Sequence, residues 1–140
     1  MKTPRLSDLP TVVAAAVWVL TARVVLARGG FPSAIRRYAL QPAEDTGALV
    51  RPLAPPVHRA AQVAQRVVRL RLLGATCLPR SIAVARVVAR YGARADIVFG
   101  VTQVEGFAAH AWVEAGGVRL DPAGHPPGRY QPAGRFSLLP

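Results

Sequence analysis

The chain has 140 residues, 51% of them hydrophobic and 18% charged, which excludes a disordered composition and suffices for one core without disulfides or metals. A single cysteine excludes an internal disulfide and a Cys-x-x-Cys zinc site. All but one of the 18 basic residues are arginine and the net charge is +11, a field that favours acidic partners; yet the arginines are scattered without interleaved aromatics, and no nucleic-acid partner is expected.

The first element opens in an apolar run over residues 9–22, starting at Leu9. It contains Pro10 and is cut short by Arg23, so it falls below the roughly 20 apolar residues that span a bilayer. Lys2 and Arg5 precede the run as in a signal peptide, but Arg23 and Arg28 follow it, and Ala27-Arg28-Gly29 is a poor cleavage site. A cytoplasmic protein is expected. Its first helix is read as a core helix in preference to one that docks on a membrane or a partner.

That helix should cover residues 10–28, opened by Pro10 and stopped by Gly29-Gly30. A shorter helix is predicted over 32–40, then a loop over 41–56 broken by Pro42, Gly47, Pro52, Pro55 and Pro56. Residues 57–72 read as a helix with Val57, Ala60, Ala61, Ala64, Val67, Val68 and Leu72 near one side, ended by Gly74. The strongest helical pattern runs over 76–91, with Thr76 as N-cap, Pro79 in the first turn and Gly92 as the stop. At 100° per residue Arg86 and Arg90 share one face, and Cys77, Ser81, Val84, Val88 and Tyr91 share the opposite, buried one. Cys77 therefore sits in the first turn and points inward.

Beyond Gly92 the period changes to that of strands, predicted over 96–102, 107–115 and 118–121, the last two joined by a Gly116-Gly117 hairpin turn. Residues 122–134 are rich in Pro and Gly and read as irregular. The apolar tail 136–139 is expected to add a short strand or to dock on the core. Helices followed by an antiparallel sheet make an α+β fold.

A two-residue turn at Gly116-Gly117 pairs Ala115 with Val118, Val113 with Leu120 and Trp112 with Asp121. Alternation then puts His110, Trp112 and Asp121 on one side of the sheet, with His110 diagonal to Asp121 and within hydrogen-bond reach. A three-residue turn would separate them. A thiol is a weak nucleophile near neutral pH, and a helix N-terminus and an imidazolium both favour its thiolate. A carboxylate behind the imidazole fixes its tautomer and orientation. Cys77, His110 and Asp121 thus form a candidate nucleophile, base and orienting acid. Taken singly each has an ordinary explanation: a buried Cys is a small hydrophobe, and Asp before Pro is common turn chemistry. The Cys77 N–H is a candidate oxyanion donor, with Gln62 and Gln65 as further candidates. Nothing in the pattern favours His58 or His125.

The segments Cys77-Leu78-Pro79-Arg80-Ser81, Gly92, Gly100-Val101 and Phe107-Ala108-Ala109-His110-Ala111-Trp112-Val113-Glu114 resemble the leader peptidases of lasso-peptide biosynthesis. These are transglutaminase-like cysteine proteases, here in their stand-alone, split form. The resemblance covers residues 74–121. It implies a papain/transglutaminase-like fold with the nucleophilic Cys77 at a helix N-terminus, His110 as general base and Asp121 as the acid on the following strand. It implies cleavage of a ribosomally made precursor at its leader–core junction, with a separate lasso cyclase closing a macrolactam on the freed core. A leader-recognition protein is the expected partner, and no cofactor or metal is implied. The chain is expected to be one domain over 1–140: a helical part over 1–73, the motif region 74–121, and a Pro/Gly-rich tail over 122–140. Two other readings stay open: another transglutaminase-like acyl-transfer enzyme or amidase, and a non-catalytic module that binds through its arginines.

Overall fold

The computed structural model describes residues 3, 5–44, 51–104, 106–125 and 128–140. Lys2 and Gly47, invoked above, lie outside the described residues, as does the middle of the 41–56 segment.

Helix α1 is Leu9–Tyr38, broken once at Gly30, whose φ of 64° and ψ of −164° are open to glycine but not to residues with a side chain. The break separates two helical stretches, as the sequence predicts, and the two together are labelled α1. Pro32 falls in the first turn after the break, where its missing N–H forfeits no hydrogen bond. Thr11, Ala15, Val19 and Ala22 bury one face, and Ala34 and Tyr38 continue it beyond the kink. Asp8, just ahead of α1, accepts a forked pair of hydrogen bonds from Arg59 at 2.9 and 2.6 Å. That pair ties the start of α1 to the second helix.

Helix α2 is Pro55–Val68. Pro55 and Pro56, read as loop breakers, occupy its first turn instead, where proline is tolerated. The helix stops earlier than its pattern suggests, because Leu70 turns extended and a 3-10 turn follows over Arg71–Leu73. The helical period no longer applies there. Leu72, expected in the core, is 94% exposed, and Leu73 is buried in its place.

Helix α3, Cys77–Arg90, is the central helix. Its residues Ser81, Ile82, Ala83, Val84, Ala85, Val87, Val88 and Ala89 are buried, most of its circumference. Only small and β-branched side chains allow α1, α2 and the sheet to approach it together. Thr76 holds the N-cap position but makes no side-chain capping bond. Tyr91 lies just past the helix and is half-exposed rather than buried, and its hydroxyl shares a 2.6 Å hydrogen bond with Thr11. Gly92, at φ 90°, turns the chain toward the sheet.

Among the described residues five strands follow the order β1-β5-β2-β3-β4, all antiparallel: β1 Gln41–Pro42, β2 Ala95–Thr102, β3 Ala108–Ala115, β4 Val118–Leu120 and β5 Gln131–Leu138. Strand β1 lies in the segment read as loop, and β5 begins inside the segment read as irregular. The reason is a bulge: Phe99 faces Gly134 but Gly100 faces Pro132, so Pro and Gly sit where regular pairing is interrupted. One sheet face, with Ile97, Ala111, Val113, Ala115, Leu120 and Leu138, joins the helices in a single core. Each such Val, Ile or Leu contributes about 1.5–3 kcal/mol by burial. Phe31, Phe99 and Phe136 meet edge-to-face at 5.1–6.0 Å and lock the kinked end of α1 onto the sheet.

Candidate active site

The β3–β4 hairpin sets the site. Gly116 and Gly117 both have positive φ, 57° and 74°, the two-residue turn whose twist matches antiparallel strands. Ala115 therefore pairs with Val118 and Val113 with Leu120, the register expected from sequence. His110, Trp112 and Asp121 accordingly share the face turned away from the helices.

His110 and Asp121 are buried side by side. Nε2 of His110 lies 2.9 Å from Oδ1 and 3.0 Å from Oδ2 of Asp121. The carboxylate also accepts from Arg119 Nη2 at 3.1 Å and from the Ala123 N–H at 3.0 Å. Burial pushes the Asp121 carboxyl up, but the hydrogen bonds from His110 and Arg119, aided by positive charge at His110 and the Ala123 N–H, outweigh it. The group is held below the usual carboxylate range. Arg69 Nε, at the end of α2, donates to the Pro122 carbonyl and fastens the chain just beyond Asp121.

A rigid aromatic wall backs the pair. Trp112 stacks beside His110 with ring centroids 6.1 Å apart, and Tyr130 approaches His110 to 5.1 Å. The Arg119 guanidinium lies 4.1 Å from the Trp112 ring centre, a cation–π contact that also aims Arg119 at Asp121. Trp112 is held at its other end by a 3.0 Å bond from Nε1 to Glu114. Arg135 grips Glu114 and Asp96 at 2.8 and 3.0 Å. Gly100, opposite His110, makes room: a Cβ there would sit 2.5 Å from the Trp112 ring and 2.8 Å from Tyr130.

Cys77 occupies the first position of α3, half-buried against the helix-side core. Ser81, one turn further on, donates to the Ala111 carbonyl at 3.1 Å. This bond fixes where α3 crosses β3, next to His110 in sequence. The structure thus joins His110 to Asp121 directly and fastens the Cys77 helix to the same strand, but no hydrogen bond joins Cys77 to His110: the thiol packs with the helix-side core, whereas His110 lies on the sheet's other face. Among the described residues the Cys77 thiol makes no hydrogen bond. Since Nε2 of His110 is committed to Asp121, Nδ1 is the nitrogen left to exchange a proton. The Cys77 N–H is in the first turn and has no intrahelical acceptor. Of the other oxyanion candidates, Gln62 is exposed and engages His58 at 3.2 Å, and Gln65 is half-buried.

His125 is the residue the sequence did not single out. Its ring stands edge-on to His110 at 4.4 Å, with Nδ1 3.8 Å from Asp121 Oδ2. Burial first, then the charge of His110, pushes the His125 imidazole down. His110, Asp121 and His125 each offer a ligand atom within 4.8 Å of the others. A metal there would have to displace the His110–Asp121 hydrogen bond and compete with Arg119, so the arrangement reads as an acid–base pair rather than a metal centre. Strand alternation carried the signal for Arg119, two residues before Asp121. No periodic signal marks His125 or Tyr130, which lie between β4 and β5.

A family model described as the transglutaminase-like superfamily matches residues 16–134. No curated protein and no solved structure matches the chain.

Proposed function

The chain belongs to the transglutaminase-like superfamily, and on that premise we propose that it is a cysteine peptidase that removes the leader from a ribosomally made lasso-peptide precursor. The observation that carries the proposal is the buried His110–Asp121 pair on a hairpin against which the Cys77 helix is fastened. The Cys77-to-Ser81 and Ala109-to-Glu114 motifs support the substrate class.

In the proposed reaction Cys77 Sγ attacks the scissile carbonyl as its proton passes to His110 Nδ1. The resulting oxyanion faces the Cys77 N–H, where the helix N-terminus favours negative charge. His110 then protonates the departing amine, which becomes the free core N-terminus, and a thioester joins the leader to Cys77. Water, deprotonated by His110, hydrolyses the thioester and restores the thiol. Asp121 keeps Nε2 protonated throughout, and Arg119 and the Ala123 N–H keep Asp121 ionised.

A leader-recognition protein and a cyclase, in the cytoplasm, complete the proposed setting. The superfamily also accommodates acyl transfer to an amine instead of water, with the same three residues. Mass spectrometry of a candidate precursor, incubated with the protein and a leader-recognition partner, separates these readings. Cleavage at one junction by the wild type and not by Cys77→Ala supports the peptidase. A product heavier by an added amine supports transfer. An unmodified precursor contradicts this substrate.

A further inference from the structure

The buried face of α1 leaves the opposite face without a partner. Leu9, Val13, Val17, Leu20 and Val24 are each 44–58% exposed, and Leu6 just ahead is 93% exposed. Their spacing puts them in one stripe along the outer side of the helix. No charged residue interrupts it between Leu9 and Thr21. Beside the stripe runs a shallow groove of about 530 Å³, lined by Leu9, Pro10, Val13, Val17, Trp18 and Arg90. A contiguous apolar strip of this length marks an interaction surface.

Charge selects the occupant. Arg5 precedes the stripe and Arg28 follows it, and Arg90 lines the groove with its guanidinium 5.9 Å from the Trp18 ring centre. Arg23 donates to the Leu73 carbonyl and Arg86 lies between the Trp18 and Tyr38 rings, so neither counts toward this rim. The nearest acid, Asp8, is already held by Arg59. Asp96, Glu114 and Asp121 are likewise paired with arginines on the sheet's far side. An apolar strip rimmed by arginines, with a tryptophan at the boundary, matches a bilayer surface rich in anionic lipid: apolar side chains enter the acyl boundary, Trp sits at the headgroups and Arg meets the phosphates. A second copy is a poor occupant, because each chain carries +11 and like charges would meet along the rim. Residues 9–22 alone are too short to span a bilayer, but the helix continues past Arg23 and by length and composition could cross one. Its other face, however, is fixed to the core by Thr11–Tyr91, Asp8–Arg59 and the packing of Ala15, Val19 and Ala22.

We propose that the outer face of α1 docks the protein flat on an anionic membrane surface, the helix lying in the interface rather than across it. This rests on the exposed stripe and its arginine rim, independently of the catalytic reading.

The test is co-sedimentation of the full chain with vesicles of phosphatidylcholine alone or mixed equally with phosphatidylglycerol, with tryptophan fluorescence read in parallel. Trp112 is buried, so a blue shift on binding reports Trp18. The expected result is binding to the mixed vesicles, weakened about tenfold or more by raising salt to about 0.5 M. Val13→Glu with Val17→Glu, both at exposed positions, should abolish binding and the blue shift while circular dichroism is unchanged. Absence of wild-type binding would overturn the proposal, as would undiminished binding by the folded double variant. A wild-type dimer that the double variant converts to a monomer would also overturn it, by assigning the face to a second copy.

Discussion

Both carboxylate oxygens of Asp121 are turned onto a single ring nitrogen of His110, at 2.9 and 3.0 Å, so the imidazole is held in one orientation with Nδ1 left for chemistry. Asp121→Asn keeps the shape but offers only one acceptor oxygen and an amide that competes as donor. It should lower turnover by about a hundred- to ten-thousandfold and stability by about 1–3 kcal/mol. Steady-state cleavage and chemical denaturation of the same preparation measure the two effects separately.

Acid sensitivity follows from the same carboxylate. Its folded-state pKa lies below the ordinary 3.8, so the folded state favours the ionised form. The stabilisation is complete above the unfolded value, and it is lost as pH falls through the lowered folded value. Thermal melts should therefore show a drop below about pH 4 that is smaller in Asp121→Asn. An identical acid profile in the two proteins would show that the carboxylate is not the group responsible.

Gly100→Ala should disturb the site through the aromatic wall behind His110. The added Cβ would meet the Trp112 ring at 2.5 Å and Tyr130 at 2.8 Å, at a cost of about 1–3 kcal/mol for overpacking. Gly134→Ala, where a Cβ meets nothing within 4 Å, serves as the control. Near-ultraviolet circular dichroism should change for the first variant and not for the second.

One extra glycine between Gly116 and Gly117 tests the hairpin register. The insertion moves β4 by one residue and carries Asp121 to the opposite face. The Nε2 bond should disappear from the histidine nitrogen NMR spectrum, and turnover should fall as far as in Asp121→Asn. An unchanged His110 signal would mean that the strand re-registers.

Much of this architecture is legible in the residues. Gly116-Gly117 specifies its turn type chemically, so the register, the shared face and the His110–Asp121 contact all follow from local rules. Gly29-Gly30 likewise announces the break in α1. What escaped reading is set by tertiary context. Leu72 follows the helical period of α2 but lies beyond the point where the backbone leaves the helix. Pro132 and Gly134 argue against a strand until the bulge opposite Gly100 is seen. His125 and Tyr130 both lie against His110, and no periodic pattern encodes that placement. Residues 9–22 show a helix without showing which of its apolar sides the core covers.

The most direct measurement uses the fact that Cys77 is the chain's single cysteine, so that iodoacetamide uptake reports one thiol. Mass spectrometry of the folded wild type and of His110→Ala at neutral pH gives the alkylation rate of each. If His110 activates Cys77, the variant should react at least about tenfold more slowly, with its fold intact by circular dichroism. Equal rates in the two proteins would contradict the pairing of Cys77 with His110 and, with it, the cysteine-peptidase mechanism.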